Sequence, residues 1–107
     1  MTRIIQISDP HIVPYGQLAY GQVDTAKALA DCVETINRSL AEIGPVDMVI
    51  VTGDLTDFGT EEEYLRFRSL MEPLTLPYRA VPGNHDDVDV MRACFSDQFW
   101  MPLQGPI

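Results

Sequence analysis

Apolar and polar residues alternate along the chain in blocks that predict three strands. Residues 3–8 (RIIQIS) are rich in β-branched side chains and predict a first strand that is mostly buried. Residues 47–52 (DMVIVT) form a continuous apolar run, which is typical of a strand covered on both faces. Residues 77–81 predict a third, short strand. Each run ends at a turn-forming residue, so the strand ends are well marked.

The stretches between the strands predict helices. From residue 23 to 43, apolar side chains recur at helical spacing on one face, and a Gly-Pro pair ends the pattern. A second helix starts at Thr60, because its hydroxyl and the Glu63 side chain can form a capping box. Residues 87–95 predict a third helix. The order βαβαβα predicts an α/β fold with a mostly parallel sheet.

Composition narrows the class of protein. The 107 residues are enough for one domain, and 46% hydrophobic with 21% charged residues is a globular composition. A net charge of -9 with only seven basic residues argues against a nucleic-acid partner. The first apolar run is too short for a signal peptide or a membrane span, and two unpatterned cysteines suggest reduced thiols. We therefore expect a cytoplasmic protein that binds neither nucleic acid nor membrane.

Side chains with metal-binding chemistry follow all three predicted strands. They are Asp9 and His11 after the first, Asp54 after the second, and Asn84, His85 and Asp86 after the third. The loops after the carboxyl ends of parallel strands open on one edge of the sheet, where ligand sites collect. We therefore expect these residues to meet.

The residue types suit a metal centre that acts on phosphate esters. Asp9 and His11 are two apart, so in an extended segment they point to one side and can share a cation. Carboxylate oxygen and imidazole nitrogen favour zinc, manganese or iron over calcium. Asp54 can bridge two metals, and Asn84 adds a neutral oxygen. The imidazole of His85 can protonate a leaving alkoxide or donate a hydrogen bond to a phosphoryl oxygen.

The acidity of the chain is a separate reason to expect metal ions. A phosphate ester that approaches an acidic protein is repelled unless cations stand between them. Two metal ions about 3.5 to 4 Å apart attract the ester, lower the pKa of a bound water to about 7 and stabilise both oxygens of an in-line displacement.

Three short motifs carry a family resemblance. They are Asp9-x-His11, Gly53-Asp54 and Gly83-Asn84-His85-Asp86. In this order, each after an apolar strand, they resemble the calcineurin-like metallophosphoesterase pattern. The stretches ISDPHI, VTGDLTDFGTEEEY and VPGNHDD are most similar to a bacterial branch that includes class III cyclic nucleotide phosphodiesterases and glycerophosphodiester phosphodiesterases. The resemblance implies a two-sheet α/β sandwich and metal-dependent hydrolysis of small-molecule phosphoesters.

Carried over residue by residue, the resemblance implies a role for each motif residue. The implied metal ligands are Asp9 and His11 for the first ion, Asp54 as the bridge, and Asn84 for the second ion. His85 would stand near the leaving group, with Asp86 as its orienting partner. The two metals would be iron, manganese or zinc, and the substrate a cyclic nucleotide or a glycerophosphodiester.

The sequence departs from the family pattern in one respect. Family members complete the site with later histidines, one isolated and two in a Gly-His-x-His segment, whereas this chain contains only His11 and His85. We therefore expect residues 1–107 to be a single incomplete domain, the N-terminal half of the sandwich. The alternative is a non-catalytic fragment or binding scaffold. An uncovered apolar tail at residues 99–103 and an unpaired sheet edge favour a homo-oligomer.

Other polar residues are given simpler interpretations. Asp57 and the acidic residues 61–63 are expected to stay solvated near a helix start, where they favour its dipole. The loop after the first motif supplies candidates to line a substrate pocket. These are Tyr15, Gln17 and Tyr20.

Overall fold

The structure is a computed structural model that describes residues 2–14, 16–17 and 24–107. Its strands are β1 (Ile4–Ser8), β2 (Met48–Thr52) and β3 (Tyr78–Ala80), and its helices are α1 (Thr25–Ile43), α2 (Glu61–Met71) and α3 (Val88–Cys94). The strands form one parallel sheet in the order β1-β2-β3. The predicted α/β class and parallel sheet are confirmed.

The helix ends follow the local sequence signals. The Asp24 side chain caps the start of α1, and Gly44 ends it with a φ of 82°, a conformation that favours glycine. Val23, where this helix was predicted to begin, lies outside the described residues. Thr60 and Glu63 form the predicted capping box of α2. Glu63 is fully buried rather than solvated, because its carboxylate folds back onto the chain before the helix.

The core lies between one face of the sheet and the helices. Val49 and Val51 of β2 are fully buried and belong to one cluster with Tyr64 and Phe67 of α2. Helix α1 packs on α2, and α2 packs on α3, so a single layer of helices covers this face. Within the described part of the chain, no helix combines the length and apolar character that a membrane crossing requires.

The opposite face of the sheet is only partly covered by the described residues. Ile4 is 55% exposed, and Met48 and Ile50 are half-buried. The prediction that β1 is mostly buried and β2 is covered on both faces is therefore wrong for this face. An apolar run shows that a strand can be buried on both sides, but the described residues supply helices to one side only.

The C-terminal tail is better packed than the sequence suggested. Trp100 and Met101 are buried against the core, and the indole of Trp100 lies 5.4 Å from the ring of Phe95. Phe99 and Leu103 remain 80% and 94% exposed. The prediction of an uncovered tail is thus correct for two of its apolar residues and wrong for Trp100 and Met101, which belong to the core cluster with Phe95.

Candidate metal centre

The loops after β1 and β2 continue the hydrogen bonding of the sheet beyond its strands. The N–H of Asp9 donates to the carbonyl of Thr52 at 2.9 Å, and the N–H of His11 donates to the carbonyl of Asp54 at 3.0 Å. The ladder runs on as far as the N–H of Asp57. The first two motifs are therefore placed side by side by main-chain bonds.

Asp9 and His11 adopt an unusual backbone conformation. Their φ angles are 50° and 48°, in the left-handed region that residues with a Cβ seldom occupy. The two side chains come together as predicted, but not through the extended segment that the sequence analysis assumed. Such strain persists where the surroundings fix it, and it is concentrated at functional sites.

Three of the four predicted metal ligands lie together. Asp9, His11 and Asp54 each offer a ligand atom, and these atoms all lie within 4.8 Å of one another. His11 Nε2 is 3.7 Å from Asp54 Oδ2, and the N–H of Asp54 donates to Asp9 Oδ1 at 3.1 Å. Two carboxylates and an imidazole form a mixed oxygen and nitrogen donor set. The residues present therefore fit a transition-metal or zinc ion.

Two glycines allow the three loops to approach one another. A Cβ at Gly53 would lie 2.1 Å from Asp9 Oδ1, and a Cβ at Gly83 would lie 2.2 Å from Asp54 Oδ1. Gly53 also has a φ of 81°. Any side chain at either position would push a predicted ligand aside, so both motifs require glycine.

The third loop is joined to the second through Asp54. The N–H of His85 donates to Asp54 Oδ1 at 2.8 Å. Asn84 lies between Gly83 and His85, both of which approach Asp54, and its side chain is exposed. All the predicted site residues therefore lie at one edge of the sheet, although Asn84 and Asp86 are outside the cluster around His11.

Asp86 has a more extensive set of contacts than the sequence suggested. Its carboxylate accepts five hydrogen bonds of 2.8 to 3.0 Å, from Leu55 N, Thr56 N, Thr56 Oγ1, Tyr64 Oη and Gly83 N. None of the five comes from His85. In the structure, Asp86 fastens the second loop to the third.

Asp57 is the residue that the sequence analysis missed. It is 7% exposed, and its Oδ1 lies 3.6 Å from Nδ1 of both His11 and His85. Its carbonyl lies 2.9 Å from His85 Nδ1. The expectation that Asp57 is solvated is wrong, because its loop packs against the third motif. The sequence offered one sign of this close packing, Gly59, because a Cβ at that position would lie 2.7 Å from the backbone nitrogen of Asp87.

The two imidazoles lie close to each other and to Asp57. The rings of His11 and His85 are nearly perpendicular, with centroids 5.2 Å apart. The hydrogen bond to the Asp57 carbonyl raises the pKa of His85, and the carboxylates of Asp54 and Asp57 add to the effect. Ligand atoms of His11, Asp57 and His85 also lie within 4.8 Å of one another.

Gln17 is the one predicted pocket residue that the structure describes. Its N–H donates to the carbonyl of Pro14 at 3.0 Å. Tyr15 and Tyr20 lie outside the described residues. The proposal that these side chains line a pocket therefore remains a prediction.

The sequence pattern described as calcineurin-like phosphoesterase matches residues 2–106. The chain belongs to the calcineurin-like phosphoesterase family. Its resemblance to this family, inferred from the three motifs, is thereby confirmed. The parallel α/β architecture and the predicted ligands gathered at the sheet edge agree with membership of the calcineurin-like phosphoesterases.

Two curated relatives of this calcineurin-like phosphoesterase are phosphodiesterases by name. A probable glycerophosphodiester phosphodiesterase of Arcobacter nitrofigilis is 41% identical over 97 residues, which is 91% of this chain and 34% of the relative. A 3',5'-cyclic adenosine monophosphate phosphodiesterase of Pseudomonas aeruginosa is 35% identical over 89 residues, 83% of this chain and 32% of the relative. The chain thus spans about a third of the length of these relatives.

A solved structure shares the fold. A purple acid phosphatase from yellow lupin (Lupinus luteus) seeds superposes with a TM-score of 0.56 and 18% sequence identity, covering 97% of this chain and 20% of that one. At this identity the likeness concerns the fold alone. It shows that the fold of this chain is similar to part of that phosphatase.

Proposed function

We propose that residues 1–107 carry the N-terminal part of the active site of a metal-dependent phosphodiester hydrolase. The observation that carries the proposal is the convergence of Asp9, His11 and Asp54, with ligand atoms within 4.8 Å of one another. Membership of the family and two relatives named as phosphodiesterases support it. The substrate would be a small phosphodiester, either a cyclic nucleotide or a glycerophosphodiester.

The residues present would hold two metal ions. Asp9 and His11 would bind the first and Asp54 would bridge the pair. Asn84, an exposed residue, would bind the second through its amide oxygen. Iron, manganese and zinc suit this donor set. When bound, such ions supply Lewis acidity and a hydroxide nucleophile at neutral pH. They would also neutralise the carboxylates that otherwise repel a phosphate ester.

His85 would assist the departure of the leaving group. The carbonyl of Asp57 can only accept a hydrogen bond, so His85 Nδ1, 2.9 Å away, carries a proton. That contact leaves Nε2 as the atom that would face the substrate. In the imidazolium form Nε2 also carries a proton, which it would donate to the leaving alkoxide or share in a hydrogen bond with the phosphoryl oxygen. Asp57 would fix the orientation of this ring through its carbonyl. Asp86 would act indirectly, by holding the loop that carries His85.

The site as proposed needs further ligands from outside these 107 residues. The later histidines that complete the site in the family pattern are absent, since His11 and His85 are the only histidines. The second ion would therefore have two ligands from this chain, Asp54 and Asn84. A second copy of the chain is one source, which is why we retain the homo-oligomer as part of the proposal. Light scattering at micromolar concentration would test it, and a monomer mass would exclude it.

The central experiment is a measurement of metal content per chain. The protein is incubated with manganese, iron and zinc, freed of excess metal and analysed by plasma mass spectrometry. We expect retained metal in the parent and in Asp89→Asn, an exposed acidic control, and loss in Asp54→Asn. The same measurable metal content in all three chains would overturn the proposed ligand set.

Turnover provides the second readout. In a preparation that hydrolyses cyclic nucleotides or glycerophosphodiesters, His85→Ala should lower turnover by about 10²- to 10⁴-fold, the usual contribution of a general acid, while metal content stays near that of the parent. Loss of metal in His85→Ala would instead identify His85 as a ligand. Unchanged turnover with unchanged metal would exclude it from the reaction.

A further inference from the structure

The loop that carries His11 is hydrogen-bonded to side chains of two helices. The hydroxyl of Thr25, the first residue of α1, donates to the carbonyl of His11 at 2.9 Å. In α2, Arg66 Nη1 donates to the carbonyls of Val13 and Pro14 at 2.9 and 3.1 Å. Three carbonyls of this loop are thus tied to the helical layer, while Ile12 between them stays hydrogen-bonded to the loop after β2.

Helix α1 does not need the Thr25 hydroxyl for its own start. The carboxylate of Asp24 already accepts from the N–H of Lys27, and the carbonyl of Asp24 accepts from the N–H of Ala28. Thr25 instead points back to a residue 14 positions earlier in the chain and is partly buried. The hydroxyl therefore serves the loop and not the helix.

His11 requires such support because its backbone is strained. Its φ of 48° is unfavourable for a residue with a Cβ, and strain of this kind persists only where neighbours fix it. The His11 N–H is fixed by the carbonyl of Asp54 at 3.0 Å, and the His11 carbonyl is fixed by Thr25. The two bonds hold opposite ends of the residue whose imidazole lies 3.7 Å from Asp54.

We propose that Thr25 is a positioning residue for His11. Its hydroxyl holds the left-handed conformation that brings the imidazole to Asp54 and Asp57. The metal-affinity part of this inference rests on the proposed function, because it takes His11 as a metal ligand. The conformational part does not depend on metal. Groups that orient a metal ligand typically change metal affinity by 10- to 100-fold when they are removed.

The test compares three substitutions with a matched control. Thr25→Val keeps the shape and removes the hydroxyl, Thr25→Ser keeps the hydroxyl, and Thr25→Ala removes it without β-branching. Ser39→Ala is the control, since the Ser39 hydroxyl donates to the carbonyl of Thr35 at 2.7 Å on the same helix, far along the chain from the site. All four are made in the full chain.

The first readout is free of metal. Amide hydrogen exchange of His11 should accelerate about tenfold or more in Thr25→Val and Thr25→Ala, while the amide of Leu29 in α1 keeps its parental rate. Thr25→Ser and Ser39→Ala should resemble the parent. The second readout is titration with Mn²⁺ alone by calorimetry, in which Thr25→Val should bind about 10- to 100-fold more weakly and Thr25→Ser normally.

The outcomes separate the two proposals. Parental His11 exchange in both Thr25→Val and Thr25→Ala would overturn the positioning role. Equal acceleration at His11 and Leu29 would also overturn it, because it would show a role in helix stability alone. Faster exchange confined to His11, in a chain whose parent binds no Mn²⁺, would support the positioning role and count against the proposed metal centre.

Discussion

Replacement of Asp86 by Asn tests whether one carboxylate holds the loops of the site together. The amide keeps the shape of the side chain but presents N–H groups where one oxygen accepted hydrogen bonds. Hydroxyl protons can rotate and backbone N–H groups cannot, so the new NH₂ should face the hydroxyls of Thr56 and Tyr64. One backbone donor, the N–H of Thr56, then faces the new NH₂ group and loses its acceptor. In the other orientation of the amide, two backbone donors would lose their acceptor, the N–H groups of Leu55 and Gly83.

The expected loss follows from these contacts. An unsatisfied buried donor costs about 1 to 3 kcal/mol, and a hydrogen bond to a charged acceptor contributes about 1.5 to 3 kcal/mol. With one donor opposed and the other bonds weakened by loss of the charge, Asp86→Asn should lower the free energy of unfolding by about 3 kcal/mol. At a urea m-value of about 1.5 kcal/mol per molar, the unfolding midpoint falls by about 2 M.

Urea unfolding followed by circular dichroism and by the fluorescence of Trp100 measures this loss. Trp100 is buried against Phe95 and therefore reports on the packed core. The matched control is Asp89→Asn, an exposed carboxylate in the first turn of α3, which should change stability by no more than about 0.5 kcal/mol. A loss in Asp86→Asn no larger than that of the control would refute the reasoning.

Two further predictions separate the effects of backbone strain, side-chain contact and charge. Gly53→Ala should lower stability and Mn²⁺ affinity more than Gly105→Ala, because both glycines have positive φ but only at Gly53 would a Cβ meet Asp9, at 2.1 Å. Urea unfolding and metal titration of both variants check this, and equal losses would indicate backbone strain alone. Hydrogen bonds from Arg68 lower the pKa of Asp97, so the stabilisation is present above the ordinary aspartate pKa and is lost as pH falls through the lowered value. The melting temperatures of the parent and Asp97→Asn should therefore differ at pH 7 and converge in acid, and a gap that persists there would contradict the assignment.

Local patterns in the sequence were sufficient to predict the elements and their order. The capping box of Thr60 and Glu63 could be predicted because both partners lie within one helical turn. The meeting of Asp9, His11 and Asp54 could be predicted because parallel strands bring their carboxyl ends to one edge. These inferences need only short-range chemistry or the topology of the sheet.

The features that the sequence analysis missed depend on contacts between distant loops. Asp57 and His85 are 28 residues apart, and a carboxylate near a helix start looks solvated until the third loop is packed over it. The left-handed backbone of Asp9 and His11 was not predicted either, because residues with a Cβ seldom adopt it and the motif contains no glycine at these positions. Coverage of the second face of the sheet was overestimated for the same reason, since an apolar strand such as β2 does not specify its partner.

The main-chain ladder that runs past β1 and β2 has a consequence for how such a protein can change over time. It fixes Asp9 and His11 through backbone N–H groups, which any residue other than proline provides. A substitution of either predicted ligand therefore keeps these main-chain bonds. The side chains at this edge can therefore change while the ladder survives, so relatives of such a chain can come to bind a different ion or a partner through a few side-chain replacements.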